Sequence, residues 1–114
     1  MLFNSNVGYT GRSQYLGEAR LTGNNSAELF GNSEDNILIG NSGNNRLNGR
    51  SGDDFLDGGP GLDTAVYNSP RSEFTITDNP DGSLTIQHNE VPGLGTDTVR
   101  NVIVLVFSDQ TINL

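Results

Sequence analysis

A strict nine-residue period between Thr22 and Val66 constrains this chain more than any other feature. Cut into nines from Thr22, the sequence reads TGNNSAELF, GNSEDNILI, GNSGNNRLN, GRSGDDFLD and GGPGLDTAV. The eighth position holds Leu29, Leu38, Leu47, Leu56 and Ala65. The first holds Thr22, Gly31, Gly40, Gly49 and Gly58, and the sixth holds Ala27, Asn36, Asn45, Asp54 and Asp63. So short a period means a solenoid, because one repeat cannot bury its own apolar face and must stack on its neighbours. The first six residues of each block are turn formers, where Gly and Asn tolerate positive φ. The last three form a short strand whose middle side chain points inward. One block turns the chain through half a circuit, so strands two blocks apart stack. Strands 28–30, 46–48 and 64–66 are expected in one parallel sheet and 37–39 and 55–57 in the other. Leu29, Leu47 and Ala65 then face Leu38 and Leu56 across a thin interior.

Composition agrees with this reading and closes off others. Only 32% of the residues are hydrophobic, against roughly 45–50% in ordinary globular domains, and glycine and asparagine disfavour helix interiors. Composition this polar suggests disorder; the periodicity argues for order. Fourteen acidic residues against six arginines give a net charge of −8. Such a surface disfavours nucleic acid, which needs clustered basic residues, and suits divalent cations, which take oxygen ligands. Cysteine is absent, which removes disulfides and thiolate metal sites. No apolar run approaches the roughly 18–20 residues of a membrane span, and Met1-Leu2-Phe3-Asn4 lacks the pattern of a signal peptide. His88, the single histidine, has Glu90 nearby but no nucleophile motif. Walker, zinc and HExxH motifs are missing as well, so no enzyme is expected.

The run Gly49-Arg50-Ser51-Gly52-Asp53-Asp54-Phe55-Leu56-Asp57-Gly58-Gly59-Pro60-Gly61-Leu62-Asp63 resembles GGxGxDxUx, the RTX calcium-binding nonapeptide, over nearly two units. Asp63-Thr64-Ala65-Val66-Tyr67, Phe74-Thr75-Ile76-Thr77, Gly95-Thr96-Asp97-Thr98-Val99 and Val106-Phe107-Ser108-Asp109 resemble the segment that follows the last repeat in many exported bacterial proteins of this kind. The resemblance implies an all-β chain: a short parallel β-roll, right-handed with nine-residue half-turns, capped by antiparallel C-terminal strands. It implies residues 22–66 as the roll, 67–114 as the cap and a candidate secretion-signal region, and 1–21 as an N-terminal cap or the tail of a preceding domain. It also implies calcium as cofactor and a secreted location reached by the type I route, without an N-terminal signal.

The implied metal ligands are Asp54 stacked over Asn36 and Asp63 over Asn45. The remaining oxygens come from the turn residues Gly49, Ser51, Gly52, Gly58, Pro60 and Gly61. Family repeats generally offer aspartate from both turns of a pair, whereas here each pair has one aspartate and one neutral asparagine. Few ions of moderate affinity are therefore expected. The competing reading is a metal-free asparagine ladder in which these side chains satisfy turn backbone groups. Asp35, Asp53 and Asp57 are read as solvated turn acids.

Beyond the repeats, Asn79-Pro80-Asp81-Gly82 marks a hairpin turn. Strands 72–78, 83–90 and 101–107 are expected as an antiparallel extension, with Val102–Phe107 its most buried part. The apolar seventh and ninth positions Ile37, Ile39 and Phe55 predict a sheet face covered by the C-terminal region, the N-terminal segment or another chain. Three functions are compatible with the residues. The first is a calcium-dependent folding and export module; the second is a carbohydrate-binding module using Arg46 with Arg12 and Arg20; the third is a passive adhesin or scaffold segment. A parent enzyme domain or adhesin in the same chain is the expected partner, with a polysaccharide as the alternative.

Overall fold

A computed structural model of the chain describes residues 2–4, 18–31, 33–90 and 95–114. The expectations for Val7-Gly8-Tyr9-Thr10-Gly11 and Tyr15-Leu16-Gly17 lie outside these residues. The described chain is all-β apart from one 3-10 turn, Arg71–Glu73. Its strands are β1 (Leu2–Asn4), β2 (Glu18–Thr22), β3 (Glu28–Phe30), β4 (Ile37–Ile39), β5 (Arg46–Asn48), β6 (Phe55–Asp57) and β7 (Thr64–Val66). They continue with β8 (Phe74–Asp78), β9 (Leu84–His88), β10 (Thr96–Arg100), β11 (Val104–Val106) and β12 (Thr111–Asn113).

Two mixed sheets hold these strands, in the orders β1-β2-β4-β6-β10-β9-β8 and β12-β11-β7-β5-β3. Within the repeats, consecutive strands alternate between the sheets and pair in parallel with the strand two blocks away. Leu29 stands opposite Leu47, Leu47 opposite Ala65, and Leu38 opposite Leu56. This pairing is consistent with a β-roll. Every eighth-position residue, Leu29, Leu38, Leu47, Leu56 and Ala65, is fully buried. One such leucine per nine residues makes two facing columns, and burying each contributes roughly 1.5–3 kcal/mol.

Parallel pairing runs further than the repeats. β1 pairs with β2 and β2 with β4 at the N-terminal side. At the C-terminal side β10 adds to β6 and β11 adds to β7, both in parallel. Val99 and Leu105, 1% and 0% exposed, thereby extend the two leucine columns. Between β7 and β10 the chain leaves the roll to form the antiparallel β8–β9 hairpin, whose second strand pairs antiparallel with β10.

The C-terminal strands therefore differ from the sequence expectation. The segment 101–107 is not one antiparallel strand. Asn101 adopts a left-handed backbone (φ 56), which ends β10 and delays β11 until Val104, so only Leu105 and Phe107 of Val102–Phe107 are buried. Among the described residues antiparallel pairing is confined to β8–β9, β9–β10 and β11–β12. Ile37 is 41% exposed, so the described C-terminal strands do not cover that face there, and the N-terminal segment expected as an alternative cover lies largely outside the described residues. C-terminal strands lengthen that sheet at its edge instead of lying across it, and Ile39 and Phe55 are half-buried.

An aromatic cluster anchors the hairpin to the roll. Tyr67, just after β7, meets Phe74 edge-on at 5.2 Å and stacks with Phe107 at 5.8 Å. Phe74 also meets Phe107 at 5.1 Å and the His88 ring at 4.7 Å, and His88 Nε2 lies 2.8 Å from Glu73 Oε1.

Candidate metal centre

The turns between strands stack as the strands do, and two side-chain ladders run through them in opposite directions. At the fifth position of the repeat the side chain accepts a hydrogen bond from the backbone N–H of the next coil. Ser26 Oγ accepts from Asn44, Asp35 Oδ1 from Asp53, and Asn44 Oδ1 from Leu62, at 3.1, 2.8 and 2.9 Å. At the sixth position the side chain accepts from the coil before it. Asp54 Oδ1 accepts the Asn36 N–H at 2.8 Å, and Asp63 Oδ1 the Asn45 N–H at 2.7 Å. The first ladder is exposed and the second buried.

The sixth-position side chains fold back over the first residue of their own block. A Cβ at Gly49 would strike the Asp54 carboxylate, one at Gly58 the Asp63 side chain, and ones at Gly31 and Gly40 the amide oxygens of Asn36 and Asn45. This is the physical reason for glycine there. At the fourth position Gly52 and Gly61 need left-handed backbone (φ 95 and 102) and lie on the carbonyls of Glu34 and of Ser42 and Gly43.

Asn36, Asn45, Asp54 and Asp63 are thus buried and brought together in pairs, Asp54 with Asn36 and Asp63 with Asn45. Gly49 and Gly58 are buried beneath them, Ser51 and Gly52 are half-buried, and Pro60 and Gly61 are exposed. Asn45 is bound inside its own turn: its Oδ1 accepts the Asn41 N–H at 2.9 Å and its Nδ2 donates to Asn41 Oδ1 at 3.0 Å. Asp35, Asp53 and Asp57 each accept a backbone N–H. Arg20 and Arg46 fall on different sheets, and Arg12 lies outside the described residues.

Asp97 was missing from the expected sites. It lies opposite Ile86 on β10 and is 1% exposed. Its Oδ1 accepts the Asp54 N–H at 2.9 Å across 43 positions, continuing the sixth-position ladder. Asp53 Oδ1 likewise accepts the Thr96 N–H at 2.9 Å, continuing the fifth-position ladder. Gly95 (φ 85) stacks on the Gly52 carbonyl as Gly52 stacks on Glu34. Gly95-Thr96-Asp97-Thr98-Val99 is therefore the second half of a further repeat. The sequence carried the signal in its GxDxV spacing, but the hairpin displaced it from the nine-residue frame.

Two oxygens in these ladders, Asp54 Oδ2 and Asp63 Oδ2, are buried without a hydrogen-bond partner. Asp97 Oδ2 accepts the Tyr67 hydroxyl at 3.0 Å. Burial pushes the Asp54 carboxyl up to about 8, with the charges of Asp97 and Asp35 adding to it against the Asn36 hydrogen bond. Burial likewise raises Asp97 to about 7 and Asp63 to about 6, each opposed by the N–H it accepts. Tyr67 is raised well above its ordinary value by burial and by Asp97. A buried acceptor without a donor is expensive, and a cation or a proton relieves it. The donor set, carboxylates among backbone carbonyls, is the hard oxygen chemistry that suits calcium. Among the described residues no three His, Cys, Asp or Glu side chains converge on one point, so backbone oxygens must complete any coordination shell here. Among the described residues no helix is long and apolar enough to cross a membrane.

No curated protein matches the chain. The family model for the RTX calcium-binding nonapeptide repeat matches residues 30–65, in four copies. That segment holds β4, β5 and β6 with the turns that carry Asn36, Asn45, Asp54 and Asp63. Over residues 30–65 the chain is thus similar to RTX calcium-binding nonapeptide repeats.

Proposed function

We propose that this chain is a non-catalytic calcium-binding roll that is stabilised by the metal and serves as part of a secreted protein. The observation that carries the reading is the pair of buried, unpartnered oxygens, Asp54 Oδ2 and Asp63 Oδ2, inside repeats of a calcium-binding family. Asp54 and Asp63 supply the carboxylates. Carbonyls of the Gly49, Ser51, Gly52, Gly58, Pro60 and Gly61 turns supply the remaining oxygens, and Asn36 completes the Asp54 pair. Bound calcium neutralises carboxylates that otherwise repel one another in a dry environment, so metal binding and folding are linked. A secreted setting fits, because RTX repeats typically occur in secreted proteins. Export by the type I route follows from the same reading, with the chain loosely folded where calcium is scarce and compact outside.

The test is circular dichroism and thermal melting of the full chain in chelator and in millimolar calcium. A cooperative gain of strand signal or a raised Tm supports the reading; identical curves overturn it. A second reading, a metal-independent scaffold, is favoured by one observation: the sixth-position Oδ1 atoms already accept backbone N–H groups from the neighbouring coil. The same melting curves decide between them.

A further inference from the structure

Every repeat pair within 30–65 joins one aspartate to one asparagine, but the structure builds a pair that the period does not contain. Asp54 and Asp97, 3% and 1% exposed, stand in successive coils. The Asp54 N–H donates to Asp97 Oδ1, and Asp54 Oδ2 has no partner. Asp53 and Asp35 line the adjoining ladder, 2.8 Å separating the Asp53 nitrogen from Asp35 Oδ1. Four carboxylates thus occupy one stack of turns, and among the described residues no ion pair involves any of them. Gly52 and Gly95 hold both turns in left-handed backbone and bring the Gly52 carbonyl against the upper turn.

We propose that Asp54 and Asp97 together hold a calcium ion that fastens the resumed coil, residues 95–106, onto the repeat array. This rests on the calcium-binding reading above and adds to it a site completed from outside residues 30–65. Two buried carboxylates in one site attract a divalent cation more strongly than the aspartate–asparagine pairs do, because affinity follows ligand charge. The ion bridges segments separated by the whole hairpin, so its binding closes the loop formed by residues 67–95. Tyr67, whose hydroxyl donates to Asp97 Oδ2, holds that carboxylate in place from the roll side of the hairpin.

The experiment is calcium titration calorimetry on the full chain, with Asp97→Asn compared against Asp63→Asn, together with hydrogen exchange over residues 95–106. Asp97→Asn keeps an oxygen acceptor for the Asp54 N–H while halving the charge of the pair. It is expected to abolish one binding event or weaken it by at least about tenfold, and to abolish calcium-dependent protection of 95–106. The metal-free Tm of this variant should stay level or rise, whereas loss of a merely structural residue would lower it. Should Asp97→Asn fail to fold, terbium replaces calcium as the probe. Tyrosine-sensitised emission is expected from the native chain and should fall severalfold in Tyr67→Phe; equal emission overturns the site. A chain that binds calcium with unchanged stoichiometry, affinity and protection in Asp97→Asn overturns this inference alone. A native chain that binds no calcium overturns it together with the proposed function.

Discussion

Asp97 Oδ1 accepts the backbone N–H of Asp54 at 2.9 Å across 43 positions, and Asp54 Oδ1 accepts that of Asn36 at 2.8 Å across 18. The two bonds are the same rung of one ladder. The parallel stacking therefore resumes after the hairpin, and a residue far along the chain occupies the next sixth position. Several measurable consequences follow from the chemistry of that ladder.

Metal removal should weaken the fold. A ligand that binds only the folded state at 100 times its Kd adds about 2.7 kcal/mol per site. About 4 °C of Tm accompanies each kcal/mol in a chain of this size. Melting over a calcium series should show Tm rising with the logarithm of free calcium, and a flat series would refute the linkage.

The pH dependence should reverse with metal. In the metal-free protein Asp54, Asp97 and Asp63 sit near 8, 7 and 6, above the ordinary aspartate value of 3.8. The folded state then binds more protons than the unfolded state across that window, so stability falls as pH rises. It is fully present below about pH 4 and lost progressively up to about pH 8. Melting in chelator between pH 5 and 9 should show a falling Tm. With saturating calcium, which favours the deprotonated carboxylates, the fall should vanish or invert.

Glycine at the first position is a steric requirement. Gly49→Ala places a methyl group against the Asp54 carboxylate, and Gly58→Ala places one against Asp63 and the Asn101 carbonyl. Each should cost about 1–3 kcal/mol, as overpacking does. Gly82→Ala, whose Cβ would meet nothing within 4 Å, should cost only the roughly 1–2 kcal/mol of its left-handed backbone. Urea unfolding of the three variants checks the order.

Leu47→Ala should cost roughly 2–5 kcal/mol, because the side chain is fully buried between Leu29 and Ala65. Ile37→Thr should change stability by no more than about 0.5 kcal/mol, since Ile37 is 41% exposed. Comparable losses in both variants would mean that this face is covered in solution.

Tyr67→Phe leaves Asp97 Oδ2 buried without its donor and should destabilise the chain by about 1–3 kcal/mol. Asp97→Asn combined with Tyr67→Phe should recover part of that loss, because a neutral amide is cheaper to bury than a carboxylate. A double-mutant cycle measured by chemical denaturation gives the coupling.

The amino-acid sequence by itself determined the repeat, its interior and most of its turns. A leucine every nine residues among glycines and asparagines can be buried only by stacking, and the sixth-position pairs Asn36–Asp54 and Asn45–Asp63 follow from that stacking alone. Only the tertiary structure decided that the coil resumes after the β8–β9 hairpin, that Val99 and Leu105 extend the leucine columns, and that Asp97 stands over Asp54. The physical reason is that periodicity reports stacking only while the chain returns at a fixed interval. An inserted hairpin shifts the interval without disturbing the backbone hydrogen bonds or the apolar column that accept the next strand. Direction escaped the sequence for a similar reason: in Val102–Phe107 the apolar run marks burial, but the left-handed turn at Asn101 and the free edge of β7 fixed where β11 begins and that it runs parallel.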